Sequence, residues 1–136
     1  MGESTFLGAD AYEDAVVDVA TDEGPVTLGR EGIVAGHRWQ PAAPAYIVTA
    51  YNPGRALTLA ENEAAQKRLV DYLTSEGLEW LPAVGRSRDS RHQEPSVVLE
   101  DIDESAARRI ASEFGQDAIF RWTEGALTVV SCARLD

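Results

Sequence analysis

Two short apolar runs constrain the fold of this chain most. The stretches "YIVTAY" (residues 46–51) and "SVVL" (residues 96–99) are apolar on both faces of a strand. Strands of this kind lie in the interior of a sheet, because neither face can be left to solvent. A third strand, "LEWLPAV" (residues 78–84), contains Pro82, which has no N–H to donate to a ladder. The sequence therefore predicts two central strands, and it places the Pro82 strand at an edge.

Two helices with clear start signals lie between and after these strands. Thr58 and Glu61 have the spacing of a capping box, which predicts a helix over residues 59–76. Asp103 is a good N-cap for a second helix, and Gly115 supplies its C-terminal stop. Each helix follows a predicted central strand.

From residue 46 onward the order is strand, helix, strand, strand, helix, strand. This order predicts an α+β fold with a ferredoxin-like split β-α-β core, a mostly antiparallel sheet with two helices on one face. We expect an N-terminal hairpin around "DEG" and a C-terminal strand to extend the sheet, and Trp39 to cover the core. The predicted organisation is one domain over residues 1–136, with a core at 45–122, a loop at 29–44 and extra strands at 12–28 and 126–134.

The composition argues against several classes of protein. A net charge of −11 repels phosphodiester backbones, and the central strands lack the aromatic pattern of RNA-binding sheets, so a nucleic-acid partner is not expected. No apolar run approaches the ~18 residues of a membrane span. The N-terminus has no secretory signal pattern, and the lone Cys132 cannot form an internal disulfide. These features predict a cytoplasmic protein without a membrane segment.

Neither a metal nor a cofactor is expected from the motifs. The two histidines are far apart in sequence and offer no metal-ligand spacing, and no glycine-rich phosphate loop is present. The acidic charge is segregated, since residues 1–36 carry eight acidic side chains against Arg30 alone. This pattern favours a solubilising acidic surface, and a dedicated acidic binding face is the alternative.

The predicted topology brings four segments to one end of the sheet. They are the end of the first central strand, the start of the first helix, the loop at residues 85–95 and the end of the second helix. Asn62 is expected to hydrogen-bond the turn at residues 51–54. The polar and charged residues of these segments are Tyr51, Asn52, Arg55, Asn62, Arg86, Arg88, Arg91, His92, Glu94 and Gln116. Positive charge beside amides predicts a site for an anion.

Four separated blocks, "TAYNPG", "ENEAAQKRL", "EPSVVL" and "FGQDAIF", resemble the bacterial family called domain of unknown function 3293. The resemblance covers residues 46–120 and implies no activity. This chain departs from the family pattern at two places. Tyr51 stands where the family more often has tryptophan, and Arg91 and His92 precede the Glu-Pro-Ser block where the family usually has an aromatic residue. The positions that match the polar residues of the family are Asn52, Asn62, Glu94, Ser96 and Gln116.

Three classes of function remain open at this stage. The favoured one is a ligand-binding or regulatory domain that holds an anionic small molecule at this end of the sheet. The second is a protein-interaction module that uses its acidic surface or a sheet edge. The third is a small enzyme in which Glu94 or His92 acts as acid or base. The oligomeric state is not determined by the sequence.

The site residues also have structural interpretations. Asn52 can cap its own turn, Gln116 can close the end of a helix, and Glu94 can form an ordinary ion pair with Arg91 or Arg55. The arginines of the 85–95 loop can be a solvated surface.

Overall fold

The computed structural model describes residues 15–53 and 55–132, and this part of the chain forms eight strands and two helices. The strands are β1 (Ala15–Thr21), β2 (Gly24–Gly29), β3 (Gly32–Gly36), β4 (Ala45–Val48), β5 (Trp80–Ser87), β6 (Gln93–Leu99), β7 (Ala118–Thr123) and β8 (Ala126–Ser131). The helices are α1 (Leu59–Ser75) and α2 (Glu104–Glu113). All strands pair antiparallel in one sheet with the order β3-β2-β1-β5-β6-β4-β7-β8.

The predicted ferredoxin-like split β-α-β fold is wrong, because the sheet is an eight-stranded antiparallel half-barrel with two helices. The curl is visible in the approach of β2 and β8, which are far apart in the strand order but contact each other. A Cβ on Gly32, the first residue of β3, would lie only 3.7 Å from the carbonyl oxygen of Gly125 in the β7–β8 turn. A register shift between Thr27 and Leu28 in β2 adds local twist and favours this curvature.

The prediction that Pro82 places β5 at an edge is also wrong. β5 pairs with β6 on one side, where Pro82 lies opposite Val97, and with β1 on the other. The pairing with β1 ends at Ala83, opposite Val19, so Pro82 lies just outside that ladder. The missing N–H of the proline therefore removes no bond between β1 and β5.

The sheet separates two apolar layers. All four residues of β4 are buried, and they alternate between the layers: Ala45 and Ile47 face the concave side, whereas Tyr46 and Val48 face the helices. The prediction that this strand is buried on both faces is confirmed. The same alternation in β6 puts Val98 on the concave side.

The concave side of the half-barrel is filled by its own side chains. Trp122 of β7 is 2% exposed and lies in this layer with residues of β1, β2, β4 and β8. Trp39 packs against the layer, and its backbone oxygen accepts a hydrogen bond from Trp122 Nε1 at 3.3 Å. The expected cover by Trp39 is confirmed.

The helix boundaries follow the predicted caps. Thr58 and Glu61 make the full capping box of α1, and Asp103 caps α2 by accepting from the backbone N–H of Ala106 at 2.8 Å. Neither helix in the described residues is long and apolar enough to cross a membrane.

The expected loop over residues 29–44 contains a strand, since its Gly32–Gly36 segment pairs with β2 as β3. The N-terminal hairpin is observed as β1 and β2, and the last strand is observed as β8. Residues 12–14 and 133–134 of the predicted extra strands lie outside the described residues.

Candidate functional site

The turn after β4 holds Asn52 in a left-handed conformation with φ of 47°. Asparagine adopts this conformation more readily than most non-glycine residues. The backbone N–H of Asn52 donates to Asn62 Oδ1 at 2.8 Å, and Asn62 is 5% exposed in the first turn of α1. The expected contact between Asn62 and this turn is confirmed. Gly54, from the same predicted turn, lies outside the described residues.

The side-chain amide of Asn52 is bonded at both ends. Its Oδ1 accepts from the backbone N–H of Leu57 at 3.0 Å and from Asn62 Nδ2 at 2.9 Å. Its Nδ2 donates to Glu94 Oε2 at 3.1 Å. These bonds connect the turn to α1 and to β6, so the amide is held in one orientation.

Glu94, near the start of β6, is a buried carboxyl group with two side-chain partners. It is 5% exposed, and its Oε2 is 2.9 Å from His92 Nε2 as well as bonded to Asn52. Burial raises the pKa of Glu94, and the hydrogen bonds from His92 and Asn52 offset this effect only in part. The His92 side chain is 25% exposed, so it connects the buried carboxyl to solvent. We call Asn52, Asn62, His92 and Glu94 the turn cluster.

The end of α2 closes the cluster from another side. Gln116 is buried, and its Nε2 donates to the backbone oxygen of Tyr51 at 2.9 Å. Gly115 has φ of 78°, and a Cβ at this position would lie 2.6 Å from Pro53 Cβ. Glycine is therefore required both by the backbone conformation and by the close approach of the turn. Burial raises the pKa of Tyr51, as do the charges of Glu63 and Glu94.

Three further polar contacts support the site, and sequence reasoning missed two of the residues that make them. Gln66 Oε1 accepts from the backbone N–H of Ala50 at 2.9 Å, and Thr49 Oγ1 donates to the backbone oxygen of Pro95 at 2.7 Å. Gln66 lies one helical turn after Asn62, a spacing that could have identified it. Ser96, a predicted site residue, donates to the backbone oxygen of Glu94 at 3.0 Å and so supports β6 locally.

The structure does not gather the arginines around the turn cluster. Arg86 pairs with Asp18 of β1 at 2.6 Å. Arg88 lines a separate cleft of about 410 Å³ with Arg30 and the β2–β3 turn. Arg91 is 88% exposed and lies 3.7 Å from Asp89, and Arg55 is exposed. Among the predicted site residues, those brought together are Tyr51, Asn52, Asn62, His92, Glu94 and Gln116.

The arrangement suits proton exchange and hydrogen bonding more than metal binding. Glu94 and His92 are in direct contact, so a proton can move between them, and the exposed part of His92 can pass it to solvent or to a ligand. Over residues 15–53 and 55–132, no group of three or more His, Cys, Asp or Glu side chains is arranged to hold a metal ion.

The fold and the cluster together define an α+β half-barrel domain with a buried carboxyl–imidazole pair beneath a strained turn. The chain belongs to the family described as Protein of unknown function (DUF3293), which matches residues 48–119 and includes the whole turn cluster. The resemblance seen in the sequence blocks is thereby confirmed. No curated protein matches the chain significantly, and no solved structure does either.

The raised pKa of Glu94 predicts how Glu94→Gln changes stability with pH. A carboxyl group with a raised folded-state pKa binds its proton more tightly in the folded protein. The bound proton therefore stabilises the folded protein fully below the pKa of the unfolded state. This stabilisation is lost as the pH rises through the pKa of the folded state. Glutamine has the shape of the protonated acid but does not titrate. In urea titrations, the free energy of unfolding of Glu94→Gln should therefore increase relative to wild type as the pH rises above the ordinary glutamate pKa.

The exposed Glu113→Gln substitution is the control for this experiment, because it removes the same charge from the surface of the protein. A relative stability of Glu94→Gln that falls with rising pH would contradict the prediction.

Proposed function

We propose that this domain binds an anionic small molecule at the turn cluster, with His92 as its principal donor. The observation that supports the proposal is the 2.9 Å contact between His92 Nε2 and the buried Glu94 carboxyl. This contact fixes the orientation of the ring through Nε2, and the side chain is 25% exposed, so a ligand can approach it from solvent. A protonated imidazole held in this way is a charge-assisted donor with a defined direction.

Two arginines adjoin the turn cluster in sequence, although the structure does not gather them around it. Arg55 follows the turn and Arg91 precedes His92, and both side chains are exposed to solvent. Glu94 opposes an anion only while it is ionised, and burial raises its pKa. An arriving anion favours the protonated form of the carboxyl further. Binding is therefore expected to take up protons and to be tighter at lower pH.

A thermal-shift panel tests the proposal. The panel contains inorganic phosphate, pyrophosphate, nucleoside monophosphates and small dicarboxylates, each at low and moderate salt. A ligand at a hundredfold over its dissociation constant stabilises the folded protein by about 2.7 kcal/mol. We expect at least one anion to raise the melting temperature of wild type and not that of His92→Gln.

The second histidine provides the matched control. His37 directly follows β3, and its Nε2 is 2.9 Å from Thr21 Oγ1 at the β1–β2 turn, away from the turn cluster. His37→Gln removes the same side chain and should keep the ligand-induced shift. Equal shifts in His92→Gln and wild type would contradict binding at the turn cluster.

The same contact favours acid–base catalysis as a second candidate function. A buried carboxyl with a raised pKa beside a half-exposed imidazole is a common arrangement in general acid–base sites. An enzyme would differ from a binding domain in its response to Glu94→Gln, which should retain ligand binding and stop turnover. The interaction-module alternative and a cytoplasmic location also remain proposals, supported by the acidic composition and by the single cysteine.

A further inference from the structure

A second cavity lies at the opposite end of the sheet from the turn cluster. It has a volume of about 820 Å³ and is bounded by the end of α1, the β1–β2 turn and the segment between β6 and α2. The turn cluster contacts the first turn of α1, whereas this cavity contacts the last turn of the same helix. A helix of 17 residues is about 25 Å long. The two sites are therefore separate. The volume is in the range of cavities that hold small organic molecules.

The lining of this cavity combines apolar and acidic side chains. Trp80, at the start of β5, and Leu78 form part of its wall and are partly exposed. The carboxylates around it come from three segments, the β1–β2 turn, the α1–β5 connection and the β6–α2 connection. They are Asp22, Glu79, Glu100 and Asp101. The described residues that line the cavity include no lysine, arginine or histidine.

We propose that this cavity binds a small organic cation that carries at least two protonated amines. The tryptophan beside the cavity supplies an aromatic face for an ammonium group or for the methylene groups between two of them. Carboxylates from separate segments suit charges that are spaced along a chain. The cavity volume and the tryptophan in its wall add to what the carboxylates alone provide. A cation site here is independent of the anion site at the turn cluster.

Fluorescence titration with spermidine and putrescine tests the proposal on the full chain. Trp80 lines the cavity, whereas Trp39 and Trp122 belong to the concave layer on the other face of the sheet. We expect a saturable change in tryptophan emission with either amine, and we expect Trp80→Phe to abolish it. Calorimetry then measures the affinity for each variant directly.

Two double variants with the same change in net charge separate the cavity from the rest of the surface. Glu79→Gln/Asp101→Asn removes two cavity carboxylates, whereas Glu113→Gln/Asp117→Asn removes two exposed carboxylates that do not line it. We expect the cavity variant to weaken spermidine binding about tenfold and the control variant to leave it nearly unchanged. All four positions are exposed, so both variants should keep the wild-type circular dichroism spectrum.

Three results would overturn the proposal. Equal weakening in both double variants would show a general counterion effect of the negative surface. The absence of saturable binding for both amines at millimolar concentration would remove the site. Binding of a lysine-rich peptide without binding of either amine would assign the cavity to a protein partner.

Discussion

Replacing Asn52 with alanine is expected to destabilise the fold by about 3 kcal/mol, because the substitution acts in two ways. It removes the side-chain oxygen that accepts from Leu57 and Asn62, and it removes one of the two side-chain donors to the buried Glu94 carboxyl. It also places alanine at φ of 47°, a left-handed conformation that is strained for a residue with a Cβ and no side-chain polar group to stabilise it. Equilibrium unfolding in urea measures the loss.

Two further variants separate the causes of this loss. Asn52→Gly relieves the backbone strain and leaves the hydrogen bonds broken, so it should be about 1 kcal/mol more stable than Asn52→Ala. Glu124, in the exposed β7–β8 turn, also has a positive φ, of 54°, and Glu124→Ala should cost well under about 1 kcal/mol. A loss for Asn52→Ala no larger than that of Glu124→Ala would refute the network at the turn.

Replacing Trp122 with alanine is expected to cost about 3–5 kcal/mol, the range for deleting a buried tryptophan. Trp122 is 2% exposed on the concave side of the half-barrel, where residues from distant strands meet, and it also donates to Trp39. A cavity left there cannot be filled by solvent without exposing the concave core. Chemical denaturation gives the magnitude, and Trp122→Phe provides a milder variant if the alanine protein does not fold.

Trp80→Ala is the matched control. Trp80 is partly exposed on the helix face of the sheet, so its substitution should lower the free energy of unfolding clearly less than Trp122→Ala does. If both tryptophan variants lost only a small and equal amount of stability, the concave side would not be a packed core, and the half-barrel description would be wrong.

The features that the sequence predicted correctly are governed by local chemistry. The capping box of Thr58 and Glu61, the N-cap Asp103 and the inward-facing Asn62 all depend on spacing within one helix or on the nearest turn. Four segments also meet as expected, since Asn52 bonds to Asn62 and Glu94, and Gln116 bonds to the backbone of Tyr51.

The curl of the sheet could not be predicted, because it depends on pairings between residues that are distant in sequence. β1 pairs with β5, and β2 approaches β8 across the open side of the half-barrel. β3 is the segment Gly32–Gly36, "GIVAG", and its glycines gave it no strand signal. The prediction from Pro82 was wrong because a missing N–H matters only where a neighbouring strand is paired, and the pairing of β1 with β5 ends at Ala83, the residue next to Pro82.

The predicted positions of the arginines were wrong for the same reason, because they also depend on pairings between residues that are distant in sequence. Their position in one loop suggested that they share one environment, but a guanidinium can reach partners on neighbouring strands. Arg86 finds Asp18, which lies 68 residues earlier in the chain and beside it only through the β1–β5 pairing. His92 was identified as a candidate, but its pairing with Glu94 follows from strand alternation, which puts residues two apart on one face.

The most direct test of binding at the turn cluster is an NMR titration that observes the histidine side chains. The chain has only two histidines, so the imidazole signals of His92 and His37 can be assigned with the His37→Gln variant. The titrant is the anion that stabilises wild type most in the thermal-shift panel, added at constant pH and ionic strength. We predict that the His92 signals shift saturably while the His37 signals stay in place. Parallel shifts of both imidazoles, or no shift of His92 with an anion that stabilises the protein, would contradict an anion site at the turn cluster.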